Sequence, residues 1–405
     1  MSELQQGQQQ NQQSALFPTY ARYPITLVKG QGSRVWDDQG KEYLDLASGI
    51  AVTGLGHAPE QVKDALVKQL DELWHVSNLF HIPNQEKLAQ LLTANSCLDA
   101  AFFCNSGAEA NEAAIKIARR YNQKVLGNDR YEVVTFKQSF HGRTLATLTA
   151  TGQPKVQEGF LPLPQGFVYA PFNDTAALSS YISDKTCAIM LELVQAEGGV
   201  ILADPAFVQE VVRLCQEHDL LLIVDEIQTG MGRTGKLFAY EHFGIEPDVI
   251  TLAKALGSGF PMGAMLGKAK LRDAFSAGSH GSTFGGTPIA TAAGIATVEA
   301  IVDQQLPQRA AQMGAYALQQ FRDKLAGNPF VREVRGLGLI MGIECVKPVS
   351  DILPQIHKQG VIVVSAGPNV IRLLPNLIVT QQELDQGIAV ICNELAKQSA
   401  AVGEA

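Results

Sequence analysis

Short aliphatic runs alternate along the chain with longer stretches whose apolar residues recur every third or fourth position. The runs are Ala100 to Cys104, Tyr131 to Phe136, Ala188 to Val194, Leu221 to Val224 and Val249 to Ala253. Each is largely apolar and bounded by polar or turn-forming residues, which predicts buried strands. The periodic stretches predict helices over Pro59 to His75, Asn84 to Ala94, Gly107 to about Tyr121 and Thr287 to Val302. Another helix starts at the Asp204-Pro205 cap and runs to His218, with Val208, Val211, Val212 and Cys215 on its inner face. This alternation, from about residue 60 to 305, marks an α/β fold.

The flanks have a different texture. Tyr20 to Asp45 reads as short strands with turns at Gly30, Gly32 and Asp38-Gln39-Gly40. After residue 306 the pattern predicts helices over Gln308 to Leu325 and Gln381 to Lys397, and strands over Val331 to Glu344, Val361 to Val364 and Val370 to Leu374. The expected organisation is a large domain, 59–306, and a smaller α+β domain assembled from both chain ends, 16–58 and 307–398. Tails cover 1–15 and 399–405. The first is Gln-rich and cannot bury apolar surface, so disorder is expected there.

Composition narrows the function classes. With 405 residues, 46% hydrophobic and 18% charged, the chain has the makeup of a globular protein with a large core. A net charge of -8 argues against non-specific nucleic-acid binding. No run of about eighteen apolar residues predicts a membrane span. The N-terminus lacks the basic start and apolar core of a signal peptide, so a cytoplasmic location is expected. Six scattered cysteines without a C-x-x-C pair predict neither a metal site nor a disulfide framework. Cys97, Cys104, Cys187 and Cys392 lie in apolar company and are expected as buried thiols.

Two strand ends carry unusual chemistry. Asp225 closes the Leu221 to Val224 run, and Lys254 follows the Val249 to Ala253 run just before a glycine cluster. On its own, Lys254 is most simply a surface lysine. A desolvated lysine, however, loses its proton readily and becomes a nucleophilic amine suited to Schiff-base chemistry. The carboxyl ends of parallel strands are also where α/β sheets bind ligands. Pyridoxal phosphate needs this pair, a lysine for its aldehyde and a carboxylate for its ring nitrogen. Ser106, with Glu109 in a capping box, opens the helix after Ala100 to Cys104 and offers free amides to an anion; a plain capped helix reads the same way. Gly230 to Lys236 nearly spells a P-loop but lacks the hydroxyl residue after its lysine, so nucleotide hydrolysis is rejected.

The blocks IVDEIQTGMGRTG (223–235), LAKALGSGFPMGA (252–264) and GSHGSTFGG (278–286), together with the stretch from Tyr20 to His57, resemble the signatures of the class III (ω-amino-acid) aminotransferases. The resemblance spans about residues 16 to 396 and is strongest to members acting on N-acetylornithine or succinylornithine. It implies fold type I, with a mostly parallel seven-stranded sheet between helices, and pyridoxal 5'-phosphate as cofactor. It implies that Lys254 and Asp225 are catalytic. Ser106, Gly107, Ala108, Phe140, Asp225, Glu226, Ile227, Gln228 and Lys254 would bind the cofactor, and Thr283 the cofactor phosphate of a neighbouring subunit. A homodimer with shared active sites follows from that.

The same resemblance assigns Arg143 to the donor's α-carboxylate, Ser282 to the acyl-ornithine and Arg372 to the α-carboxylate of glutamate or 2-oxoglutarate. Glu197 would pair with Arg372 as a gate, and Tyr20 would stand at the entrance. Read without the resemblance, Tyr20 is equally a core-edge aromatic, Arg143 a surface arginine and Glu197 part of a charged loop. The implied reaction moves the δ-amino group of N-acetylornithine to 2-oxoglutarate, a step of arginine biosynthesis; succinylornithine, ornithine or another ω-amino acid is the alternative donor. Two positions depart from the family: Ala196 stands where members usually carry Gly, and Leu193 where they often carry Pro.

Overall fold

The structure, a computed structural model, describes residues 14–403, with side chains described to residue 399. The expected disorder of the N-terminal tail therefore falls, through residue 13, outside the described residues, as do residues 404–405.

Seven strands form the central sheet in the order Ala100–Cys104, Gly263–Gly267, Val249–Leu252, Leu221–Asp225, Thr186–Leu191, Glu132–Phe136, Phe167–Ala170. Gly263–Gly267 runs antiparallel to both its neighbours, and the other pairings are parallel. The aliphatic runs divide by alternate residues between two cores, as the pleat requires. Val134, Phe136, Ile189, Leu191, Leu222, Val224, Ile250 and Leu252 join the larger one. Val133, Ala188, Met190, Leu221, Ile223, Val249 and Met265 join the other. Helix Pro205–Glu217 supplies Phe207, Val208, Val211 and Leu214 to the first face, and helix Gly107–Arg120 supplies Ala113, Ala114 and Ile117 to the second. Both ladders of side chains are covered, so these strands are largely apolar on both faces.

Two smaller sheets flank this one. The first joins Leu27–Gln31, Arg34–Asp37 and Glu42–Asp45 as an antiparallel meander. Its fourth strand is Val361–Ile362, which runs parallel to Glu42–Asp45 from the other end of the chain. The second has the order Val331–Leu337, Ile340–Cys345, Val370–Leu373, Val364–Ala366.

Several boundaries differ from the sequence expectation. Val331 to Glu344 is a hairpin of two strands, because Gly338 takes φ +55° and turns the chain. A Cβ at Gly338 would lie 2.4 Å from the Thr234 carbonyl carbon, so this turn packs backbone to backbone on the loop that mimics a P-loop. There the buried Arg233 donates to the carbonyls of Leu339 and Pro375. The run from Ala188 to Val194 also splits. Its first part is a central strand ending at Leu191, and Val194–Gln195 pairs with Ile201–Leu202 in a separate small hairpin that carries Glu197 at its tip. Helix Glu60–Leu70 stops short of His75, and the last helix runs Gln381–Gly403, past the expected end at Lys397. Cys104 and Cys187 are buried, but Cys97 and Cys392 are half-buried, while Cys215 and Cys345 are the further buried thiols.

Candidate active site

Asp225 is the last residue of its strand and pairs in register with Thr251 of the adjacent parallel strand, three residues before Lys254. Both side chains therefore reach the same sheet edge. They line one cavity of about 450 Å³ with Ser106, Gly107, Ala108, Phe140, His141, Arg143, Glu192, Ile227 and Gln228.

Asp225 is 4% exposed. Its Oδ2 accepts from Asn111 Nδ2 and His141 Nδ1, both at 2.8 Å, and its Oδ1 accepts the Ile227 amide at 3.0 Å. A carboxylate has about four acceptor positions. Asp225 thus keeps one, on Oδ1, at the cavity wall. Asn111 comes from the helix that Ser106 caps and is wholly buried among alanines.

Lys254 takes φ +47°, a left-handed conformation that a residue with a Cβ adopts at a cost of about 1 kcal/mol or more. It keeps some accessible surface at the cavity. Burial pushes its ammonium down to about 8; the charge of Arg372 adds to this and that of Glu197 opposes it. The amine is therefore about half neutral near pH 8, where an ordinary lysine is almost wholly charged.

Helix Gly107–Arg120 begins at the cavity. Ser106 Oγ accepts the Glu109 amide at 3.2 Å. The expected reciprocal bond differs, because the Glu109 carboxylate takes the Asn105 amide at 2.7 Å. Gly107 and Ala108 line the cavity with the first-turn amides that a helix cannot pair internally. Gly107 also packs closely, since a Cβ there would lie 2.8 Å from Ile227 Cδ1 and the Ile227 side chain would have to move.

Arg372 and Glu197 do not line the cavity: Arg372 is 2% exposed, sits between Ile371 and Leu373 on the C-terminal sheet, and joins the cavity wall through Gln228. Its Nη1 meets Glu197 Oε1 at 2.5 Å and Gln228 Oε1 at 3.2 Å, and its Nη2 meets Glu197 Oε2 at 3.3 Å. Burial alone would raise the Glu197 carboxyl, but the charge and hydrogen bonds of Arg372 outweigh it and hold the group below the ordinary range. Glu192 has no such cation: burial, followed by the charge of Asp225, pushes it well above the ordinary range, while it accepts the Phe140 amide at 2.9 Å.

Other expected site residues stand apart. Glu226 turns away from the cavity, with Thr229 and the Tyr240 amide as its partners. Arg143 lines the cavity but is exposed, its guanidinium 5.6 Å from the centre of the Phe140 ring. Ser282 accepts from Asn105 Nδ2 at 3.0 Å, while Thr283 is exposed on the same loop; neither lines the cavity. Tyr20 is 73% exposed. Sequence reasoning assigned no role to Asn111 or His141, although an asparagine on an alanine-rich helix face is itself a signal that a polar partner lies opposite.

The donor set fits pyridoxal phosphate. One acceptor position remains on Asp225, the same cavity holds a lysine amine that loses its proton more readily than usual, and a helix N-terminus offers amides. The sequence pattern of the class-III aminotransferases matches residues 17–395. A relative from Bacillus subtilis named acetylornithine aminotransferase is 50% identical over 388 residues, 96% of this chain and 99% of its own. One of the same name from Oceanobacillus iheyensis is 50% identical over 387 residues, 96% of each chain. Among solved structures, N-acetylornithine aminotransferase from Stenotrophomonas maltophilia is similar at TM-score 0.82 and 37% identity, over 94% of this chain and 98% of that one. Ornithine aminotransferase from Toxoplasma gondii superposes at TM-score 0.91 and 32% identity, over 96% of this chain and 93% of that one.

Proposed function

The chain belongs to the class-III aminotransferases, pyridoxal-phosphate enzymes, and from that premise we propose that it moves the δ-amino group of N-acetylornithine to 2-oxoglutarate. The products are N-acetylglutamate 5-semialdehyde and glutamate, which places the step in arginine biosynthesis. The observation that carries this reading is the meeting of Lys254 and Asp225 in one cavity, whose wall residue Gln228 joins the Arg372–Glu197 pair.

Pyridoxal phosphate supplies a reactive aldehyde and a protonated ring that draws electron density from the substrate carbon. Lys254 Nζ would hold the aldehyde, Asp225 Oδ1 the ring N–H, and the amides of Gly107 and Ala108 with Ser106 the phosphate. Phe140 offers an aromatic face to the ring and Gln228 an amide to its phenolic oxygen. Asn111 and His141 orient Asp225. With the cofactor bound, Lys254 Nζ would be the group placed to take a proton from the substrate carbon and give it back, a task suited to an amine titrating near 8. The buried walls exclude water from that transfer.

Substrate choice falls to the arginines. Arg143, at the exposed rim, receives the donor's α-carboxylate through a planar fork. Arg372 receives the acceptor's α-carboxylate when Glu197 swings away. While the donor is bound, Glu197 keeps Arg372 neutralised and the ω-amine goes to the reacting centre. The unpaired glutamic acid at Glu192 holds the Phe140 backbone in place.

The proposal includes a homodimer. Leu73, Trp74, Leu79, Phe80 and Phe284 are all exposed. Asn78 ties their two loops together by donating to the carbonyls of Ser282 and Gly285, both at 3.0 Å. An apolar patch of this kind marks an interface, and Thr283 beside it is free to reach another subunit. A cytoplasmic setting accords with the six cysteines, all free. No helix among the described residues is long and apolar enough to cross a membrane.

The test is a visible spectrum of the purified protein with pyridoxal phosphate, before and after adding N-acetylornithine without 2-oxoglutarate. A yellow band that bleaches, and returns with 2-oxoglutarate, is the expected result; Lys254→Ala should lose the cycle. A band that ignores N-acetylornithine and bleaches with ornithine would shift the donor, the alternative favoured by the overlap with the Toxoplasma gondii enzyme. No band at all would end the reading.

A further inference from the structure

The hairpin carrying Glu197 is gripped by the C-terminal sheet at three adjacent points. Arg335 pairs with Gly342 on the next strand, and Gly342 pairs with Arg372 on the one after. Residues directly opposite in antiparallel ladders share a face, so the three form one row. At one end, Arg372 forks onto the Glu197 carboxylate. At the other, Arg335 Nε donates to the carbonyls of Gly199 and Val200, both at 3.1 Å, and its Nη2 donates to Gly199 at 2.6 Å.

Between them, Gly342 leaves a hollow. A Cβ at that position would lie 3.0 Å from Val200 Cβ, so Val200 would have to shift by a few tenths of an ångström. Val200 is fully buried there and takes φ +56°, a region that a branched side chain avoids. Such a conformation persists only where the surroundings over-determine it. The hollow and the Arg335 bonds do so, on the two residues that bring the chain back from the Glu197 tip.

We propose that Arg335 is a positioning residue that fixes the backbone pivot of Glu197, so that Arg372 is uncovered by rotation of the Glu197 side chain alone. This rests on the proposed function, in which Arg372 is masked for the ω-amine donor and bare for the dicarboxylate acceptor. Without the pivot, Glu197 covers Arg372 less of the time. A free Arg372 binds dicarboxylates more tightly, and it also attracts the donor's α-carboxylate into the wrong orientation. The two substrates therefore respond in opposite directions.

The experiment compares wild-type holoenzyme with Arg335→Met and Gly342→Ala, which attack the same turn through different contacts. Calorimetry measures binding of glutarate, an unreactive dicarboxylate, and absorbance follows bleaching by N-acetylornithine alone. Each variant is expected to bind glutarate roughly tenfold tighter and to bleach roughly tenfold more slowly at low donor concentration, the scale of a lost charged hydrogen bond. Arg335→Lys, which keeps the charge but not the fork, should show the same signs with smaller size, and it carries the test if Arg335→Met does not fold. A fall in both quantities, or no change in either, would overturn the proposal. If the wild type itself ignores N-acetylornithine, the proposed donor fails, and the glutarate arm still decides the role of Arg335.

Discussion

Asp225 and Glu226 are adjacent carboxylates with opposite surroundings. Asp225 faces three donors and the cavity, while Glu226 points into the core, where burial lifts its pKa to about 7 despite hydrogen bonds from Thr229 and from the Tyr240 and Ala239 amides. The folded value lies above the ordinary 4.5. The folded state therefore binds more protons than the unfolded state between those two values, and stability falls as pH rises through that window. The contribution is complete below about 4.5 and lost above about 7. Glu226→Gln mimics the protonated acid with the same partners, so it should remove this slope. Relative to wild type, it should gain up to about 3 kcal/mol on going from the acid to the neutral side. Denaturant titrations across the window measure the difference, and a constant difference would show that Glu226 does not titrate there.

At the level of elements, helix Gly107–Arg120 joins stability to binding at a single cap. Ser106→Ala removes the acceptor for the Glu109 amide and should cost about 1 kcal/mol in chemical denaturation. It should also weaken binding of pyridoxal phosphate more than binding of pyridoxal, since only the former presents an anion to the helix end; equal weakening of both would mean that the phosphate lies elsewhere. This helix was legible in the sequence, as were the central strands, because an S-x-x-E start and unbroken aliphatic runs are local patterns. Lys254 and Asp225 stood out for the same reason, each as a charge closing an apolar run. The elements misjudged depend on distant partners. Nothing local divides Val331 to Glu344 into a hairpin, since the turn at Gly338 is shaped by contact with Thr234, more than a hundred residues earlier. Glu226 likewise looked like its neighbour until the fold turned it towards Tyr240. The loop Gly230 to Lys236 mimicked a phosphate site, and its Arg233 and Thr234 backbone packs instead against the Gly338 turn of the C-terminal sheet.

At the scale of the whole molecule, the exposed apolar residues around Leu79, Phe80 and Phe284 make the proposed homodimer testable. Sedimentation at micromolar concentration should give about twice the chain mass of 43.6 kDa. Leu79→Asp combined with Phe80→Asp should shift it towards the monomer; a wild-type monomer, or a dimer untouched by the pair, would move the interface elsewhere. A different consequence comes from the N-terminal sheet. Its strand Glu42–Asp45 is completed by Val361–Ile362, with Leu44 and Leu46 bonded to the backbone of Gly360 and Ile362. On a ribosome adding about 5–20 residues per second, tens of seconds separate the emergence of these two strands. The central sheet can close in that interval, because all its strands lie between Ala100 and Gly267. The first strands made are thus among the last to be finished. Through that wait Leu44 and Leu46, buried in the finished fold, lack the strand that completes their sheet.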